Sequence, residues 1–201
     1  MTTLEFFYDC SSPWTYLAFS KVEEVANRTG AELIWRPILV GGVFNTVNKS
    51  IYEQRSNPVP AKARYHAKDL GDWASHYGLV INWPSVFPVN SVNAMRGAIV
   101  AAEEGKLPAF SKRVFEAYWG EDQDISQEAV IRTLAAEVGL DPDGFWTKLK
   151  SEPIKQELKD NTSEVMERGG YGSPTMFVNT HDMYFGNDRL ELVEAALRKA
   201  G

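Results

Sequence analysis

The stretch DCSSPWT, residues 9 to 15, gathers the side chains whose types and spacing could carry nucleophile chemistry. Cys10 is the single thiol of the chain, and Ser11, Ser12 and Thr15 set three hydroxyls around Pro13. A thiol reacts as its thiolate, which forms readily where a helix N-terminus or a cation lowers its pKa. Cys10 stands before that helix, at the end of an apolar run, and reads as a small packing residue. Ser12 stands immediately before Pro13, where a helix begins. There it can act as a plain cap, or its hydroxyl can donate to an anion near the partial positive charge of the helix end. Spacing alone leaves both readings open. His66, His76 and His181 have no ligand-like spacing, so no metal site is expected.

The elements that must position these residues follow from pattern. Leu4 to Tyr8 is aromatic-rich and reads as a buried strand. The helix that follows carries Leu17, Val22, Val25 and Ala26 on one face and stops at Gly30. Ala31 to Trp35 reads as a second strand, ended by Pro37. A βαβ unit of this length predicts two parallel strands with a right-handed crossover. Residues 38–60, with Gly41, Gly42, Asn45, Asn48 and Asn57, read as a long loop. Helical periodicity then runs from Ala61 to about Gly169. Thr175 to Asn179 and Asp182 to Phe185 read as a hairpin turning at Thr180 and His181. Asn187 or Asp188 is expected to cap a last helix bearing Leu190, Val193, Ala196 and Leu197.

The totals exclude several functions. A chain of 201 residues with net charge −6 is not expected to bind nucleic acid, which needs a basic face. No apolar run approaches the length of a membrane span, and MTTLEFFYD does not resemble a signal peptide. With one cysteine no internal disulfide forms, and the default compartment is the cytoplasm.

The order βαβ, helices, ββα is that of an α/β, thioredoxin-like sheet domain carrying an all-helical insertion. The expected division is 1–60 with 170–201 for the sheet domain and 61–169 for the insertion. In that fold a proline before the third strand, here Pro174 in GSPT, is typically cis and faces the start of the first helix. The motifs FYDCSSPWTYLA, RPILVGG, VNKS, PAKARYHAKDL, YGSPTMFVN and FGNDRLELV occur in that order along nearly the whole chain. With them the chain resembles the DsbA-like branch of the thioredoxin superfamily, and within it the 2-hydroxychromene-2-carboxylate isomerases and kappa-class glutathione transferases. It departs from the redox members, which carry Cys-Pro-x-Cys where this chain has Ser12-Pro13-Trp14-Thr15. Hydroxyls cannot exchange disulfides.

The resemblance implies glutathione as cofactor. Ser12 would donate to its sulfur. The backbone of Ser173, before Pro174, would pair with its cysteinyl part. Asn187, Asp188 and Arg189 would take the γ-glutamyl end, and Asn48 and Lys62 would reach the ligand from the long loop and the helix after it. The second substrate would be an aromatic carboxylate, with Phe44, Trp83, Phe87 and Trp119 as candidate walls and Arg96 or Lys49 as carboxylate partner. The implied reaction is cis–trans isomerisation, and the implied assembly a homodimer. Two rivals stay open: a kappa-type transferase, in which glutathione is consumed, and a non-catalytic thioredoxin-like binding module.

Overall fold

Strand β1, Thr3–Tyr8, is the hub of the fold, and the computed structural model describes every residue around it, Met1 to Gly201. It pairs in parallel with β2, Glu32–Pro37, and antiparallel with β3, Thr175–Val178. Strand β4, Asp182–Phe185, pairs antiparallel with β3, so the sheet order is β2-β1-β3-β4. The hairpin turns through Asn179 and Thr180, both with positive φ, as a tight turn between right-twisted strands requires.

Helix α1, Pro13–Thr29, crosses between β1 and β2. Ser12 caps it in extended conformation, its Oγ accepting the Thr15 N–H at 3.3 Å, and Pro13 fills the first turn, where a missing N–H costs nothing. Gly30 ends it at φ +67°.

The segment read as a long loop instead contains two short helices, α2 (Val40–Thr46) and α3 (Ser50–Ser56). Gly41, Gly42 and Asn45 are poor helix formers, but tertiary contacts override that. The Val40 N–H donates to Asp9, and Val43 is fully buried. Helix α4, Pro60–Tyr77, buries only Ala74 and leans on α1.

Six helical pieces complete the region before β3. They are α5 (Val92–Glu103), α6 (Leu107–Phe115) running into a π-helical turn at Glu116–Gly120, α7 (Glu128–Glu137), α8 (Pro142–Leu149) and α9 (Glu152–Glu167). After β4 comes a 3-10 turn, Asn187–Arg189, and then α10, Leu190–Ala200. Neither Asn187 nor Asp188 caps α10 with its side chain, contrary to the sequence expectation, because the 3-10 turn intervenes.

The alternation of β1 sorts two cores. Leu4, Phe6 and Tyr8 join the main core, which runs on through Val22, Met95, Phe110 and Trp119. Phe7 faces the other way, with Ile38, Val43, Val165 and Phe177. Glu5 shares that second face, its side chain 3% exposed, and ion-pairs with Arg36 of β2 and Arg168 beyond α9.

Candidate functional site

The site begins where β1 hands over to α1. Ser12 holds its hydroxyl at the helix N-terminus, and the Oγ–H donates to the Ser173 carbonyl at 3.3 Å. That long bond is easily exchanged for a better acceptor. The Ser173–Pro174 peptide is cis, as expected from GSPT, and so is Phe87–Pro88, which nothing in the sequence announced. Thr15, fully buried, sets its Oγ1 2.7 Å from the Ser173 Oγ, and that same Oγ accepts the Asp9 N–H at 3.0 Å. The two positions that hold thiols in a redox relative therefore form a hydroxyl cluster with the loop before β3.

Asp9 is a participant that the sequence did not single out. It is wholly buried, and its carboxylate accepts from the Ser11 N–H at 2.9 Å, the Val40 N–H at 2.8 Å and the Ser91 Oγ–H at 3.0 Å. One side chain thus ties together the chain segments that open α1, α2 and α5. Burial pushes its carboxyl pKa up, against those hydrogen bonds, which pull it down. The signal available in sequence was a lone Asp at a strand end, which is too common to read.

Cys10 is 1% exposed, and burial, with Asp9 beside it, drives its thiol well above the ordinary range. Its N–H donates to Met95 Sδ at 3.4 Å, and its carbonyl accepts the Trp119 indole N–H at 2.9 Å. It packs, and it supplies no thiolate.

The other expected residues fall into two groups. Gly186 donates to the Pro174 carbonyl at 3.2 Å, which brings Asn187 against the same loop. Asn187 is 2% exposed, yet neither its amide nitrogen nor its oxygen has a partner. It lines a groove of about 310 Å³ with Asp188, Lys21, Trp73 and Tyr77. Asn48 also reaches the loop, donating from Nδ2 to the Tyr171 carbonyl at 3.1 Å. Asp188 and Arg189 pair with each other at 3.2 Å, both about half exposed. Lys62 is exposed on α4, and no hydrogen bond ties it to the cluster.

The candidate aromatic walls do assemble. Trp83 lies 4.6 Å from Phe87 and 6.2 Å from Trp119, ring centre to ring centre, with Phe87 6.3 Å from Trp119. Trp119 is fully buried and Trp83 mostly exposed, so the cluster runs from the core to the surface. The cation beside it is Arg55, over both Phe44 and Phe87, and neither Arg96 nor Lys49. Arg96 stacks on none of these rings, and its buried Nε has no hydrogen-bond partner.

A family model described as a DSBA-like thioredoxin domain matches residues 3–198. A 2-hydroxychromene-2-carboxylate isomerase of Pseudomonas putida is 30% identical, over 96% of this chain and 93% of that one. The chain belongs to this DsbA-like family, in the group of these isomerases and the kappa glutathione transferases. Human glutathione S-transferase kappa 1 is 28% identical over 95% of this chain and 88% of its own. A solved structure of a 2-hydroxychromene-2-carboxylate isomerase superposes with TM-score 0.82 at 27% identity, covering 98% of this chain and 95% of that one. The DsbA-like thioredoxin fold is therefore shared along the full length, helical region included. No helix of the chain is long and apolar enough to cross a membrane.

Proposed function

We propose that this protein is a glutathione-dependent cis–trans isomerase acting on 2-hydroxychromene-2-carboxylate or a related aromatic carboxylate. The observation that carries it is Ser12 at the head of α1, its Oγ–H on a long bond to the Ser173 carbonyl, together with the orphaned amide of Asn187, which follows the Gly186 bonded to Pro174. A buried polar group without a partner calls for a ligand. The zwitterionic γ-glutamyl end of glutathione has the donors and acceptors that Asn187 and the neighbouring Asp188 lack. Bound there, glutathione supplies a thiol able to add reversibly to a conjugated double bond, so that rotation can follow.

The chain's own contribution is to hold charge and shape. Ser12 turns its Oγ–H from the Ser173 carbonyl to the sulfur, and the first turn of α1 adds about half a positive charge. Both favour thiolate over a thiol of pKa near 8.5. The Ser173 backbone aligns the cysteinyl part, while Thr15 and Asp9 fix the Ser173 side chain. Trp83, Phe87 and Phe44 would offer flat apolar faces to an aromatic second substrate, with the fully buried Trp119 backing Trp83 and Phe87.

The helical region 61–169 would bring Trp83, Phe87 and Lys62 to the site, and the sheet segments, 1–60 and 170–201, Ser12, Phe44, Asn48, Ser173 and Asn187. A buried reduced cysteine and the use of glutathione favour a cytoplasmic setting.

The test is an absorbance assay of 2-hydroxychromene-2-carboxylate conversion with and without glutathione. Conversion only with glutathione, and a loss of about a hundredfold in rate for Ser12→Ala, are the expected results. Stoichiometric loss of glutathione with an aryl halide, and no isomerisation, would move the reading to a kappa-type transferase. Absence of glutathione binding by calorimetry would leave a binding module.

A further inference from the structure

Arg55 is held by rings and by no acid. Its guanidinium carbon lies 5.4 Å from the centre of Phe44 and 5.5 Å from that of Phe87. These three residues come from α2, α3 and the segment between α4 and α5, so separate parts of the chain converge on one cation. Two other arginines stack on rings in this protein, Arg36 on Phe7 and Arg168 on Phe7 and Phe177. Both also spend N–H donors on Glu5. Arg55 has no carboxylate within ion-pair reach and no side-chain hydrogen bond. A guanidinium over ring faces spends no donor on them, so its planar fork stays available for a bidentate acceptor.

The rings that hold it rise from both sides of Ser12. Phe87 packs on Trp119, whose indole N–H grips the Cys10 carbonyl two residues before Ser12. A Cβ on Gly172 would meet Phe44 at 3.8 Å, and Gly172 precedes Ser173, whose carbonyl accepts the Ser12 hydroxyl. An aromatic body lying on Phe87 and Trp83 would place an acidic substituent at Arg55.

We infer that Arg55 is the specificity-determining anchor for the carboxylate of the second substrate, with Phe44 and Phe87 as the clamp that orients it. This rests on the glutathione reading of the Ser12 site. The short, exposed helix α3 then carries the anion-recognising group to the edge of the aromatic cluster.

The test is equilibrium binding of salicylate and its neutral amide, salicylamide, to wild type, Arg55→Gln and Arg55→Lys, with S-methylglutathione titrated separately. Wild type should prefer salicylate by about tenfold or more, the size of one charge-assisted bidentate contact. Arg55→Gln should abolish the preference, and Arg55→Lys should keep part of it. S-methylglutathione affinity should change less than twofold, and so should salicylamide affinity. A salicylate preference that survives in Arg55→Gln, or that wild type never shows, overturns the inference. Loss of S-methylglutathione affinity instead would reassign Arg55 to a glutathione carboxylate and overturn it too. If wild type ignores S-methylglutathione while the preference still falls with Arg55, the glutathione reading fails and the anchor stands.

Discussion

The Thr15 hydroxyl lies 2.7 Å from the Ser173 hydroxyl, fully buried, at a position where a redox member of the family carries a thiol. The contact locks α1 to the loop before β3 and gives the Ser173 Oγ a second partner besides the Asp9 N–H. Thr15→Val keeps the shape and removes the hydroxyl. It is expected to cost about 1 to 2 kcal/mol, the value of one buried hydrogen bond with its partner left behind. Urea unfolding at constant m-value measures this, and a neutral result would show the contact to be dispensable.

Asp9 separates two effects that two substitutions can read. Asp9→Ala strips the acceptor from the Ser11 and Val40 N–H groups and from the Ser91 hydroxyl. Each abandoned buried donor costs about 1 to 3 kcal/mol, so a strongly lowered Tm is expected.

Asp9→Asn tests the charge. Burial raises the folded-state pKa of Asp9 above its value of 3.8, so the folded state holds the proton more tightly than the unfolded chain. Its stabilising contribution is therefore full below pH 3.8 and declines as pH rises through the folded-state value. The stability difference between wild type and Asp9→Asn should move in favour of the variant as pH is raised from about 4. A difference that stays flat across that range would mean that Asp9 keeps an ordinary pKa.

Gly172 leaves no room for a side chain. A Cβ there would come within 2.7 Å of Phe185 Cε2, a ring tilted against Tyr171 with 4.4 Å between centres. Its φ is unexceptional, so the whole penalty of Gly172→Ala is steric. A loss of about 1 to 3 kcal/mol is expected, with a drop in activity as the neighbouring Ser173 carbonyl shifts. Thermal unfolding and the isomerisation assay together check it.

Glu5 is the buried charge that binds the second face of the sheet. Arg36 approaches it at 3.3 Å, Arg168 pairs with it doubly, and Arg168 also stacks on Phe177 at 3.8 Å. Glu5→Gln removes the buried carboxylate, while Arg168 keeps its ion pair with Glu164 at 2.6 Å and Arg36 a longer one to the same residue at 3.9 Å. The expected cost is about 1.5 to 3 kcal/mol, the value of hydrogen bonds to a charged group. Glutathione affinity should be unchanged, because this network lies on the sheet face opposite the α1 core.

What the residues reveal by themselves is what local patterns encode. The aromatic run of β1, the Ser12-Pro13 start and Gly30 stop of α1, and the short hairpin of β3 and β4 are each set by neighbours in sequence. Their identities suffice to place Ser12 at a helix head and to pair the last two strands. Helix α2 escapes such a reading, because Gly41, Gly42 and Asn45 are held helical by the Val40 bond to Asp9 and by burial of Val43. The same holds for the site. Ser173, Pro174 and Asn187 could be named from motifs, but the orphaned Asn187 amide and the three donors on Asp9 are facts of packing.

The chemistry at the head of α1 is written in the residues themselves: hydroxyls stand in place of thiols, and any thiolate must be borrowed. Which cation meets the aromatic walls is settled by packing between distant segments. Arg55, Phe44 and Phe87 are joined by no sequence spacing, and a guanidinium has no periodicity to betray which rings it will sit between. Long-range folding of α3 against the segment before α5 chose Arg55 over the nearer-looking Lys49 and Arg96.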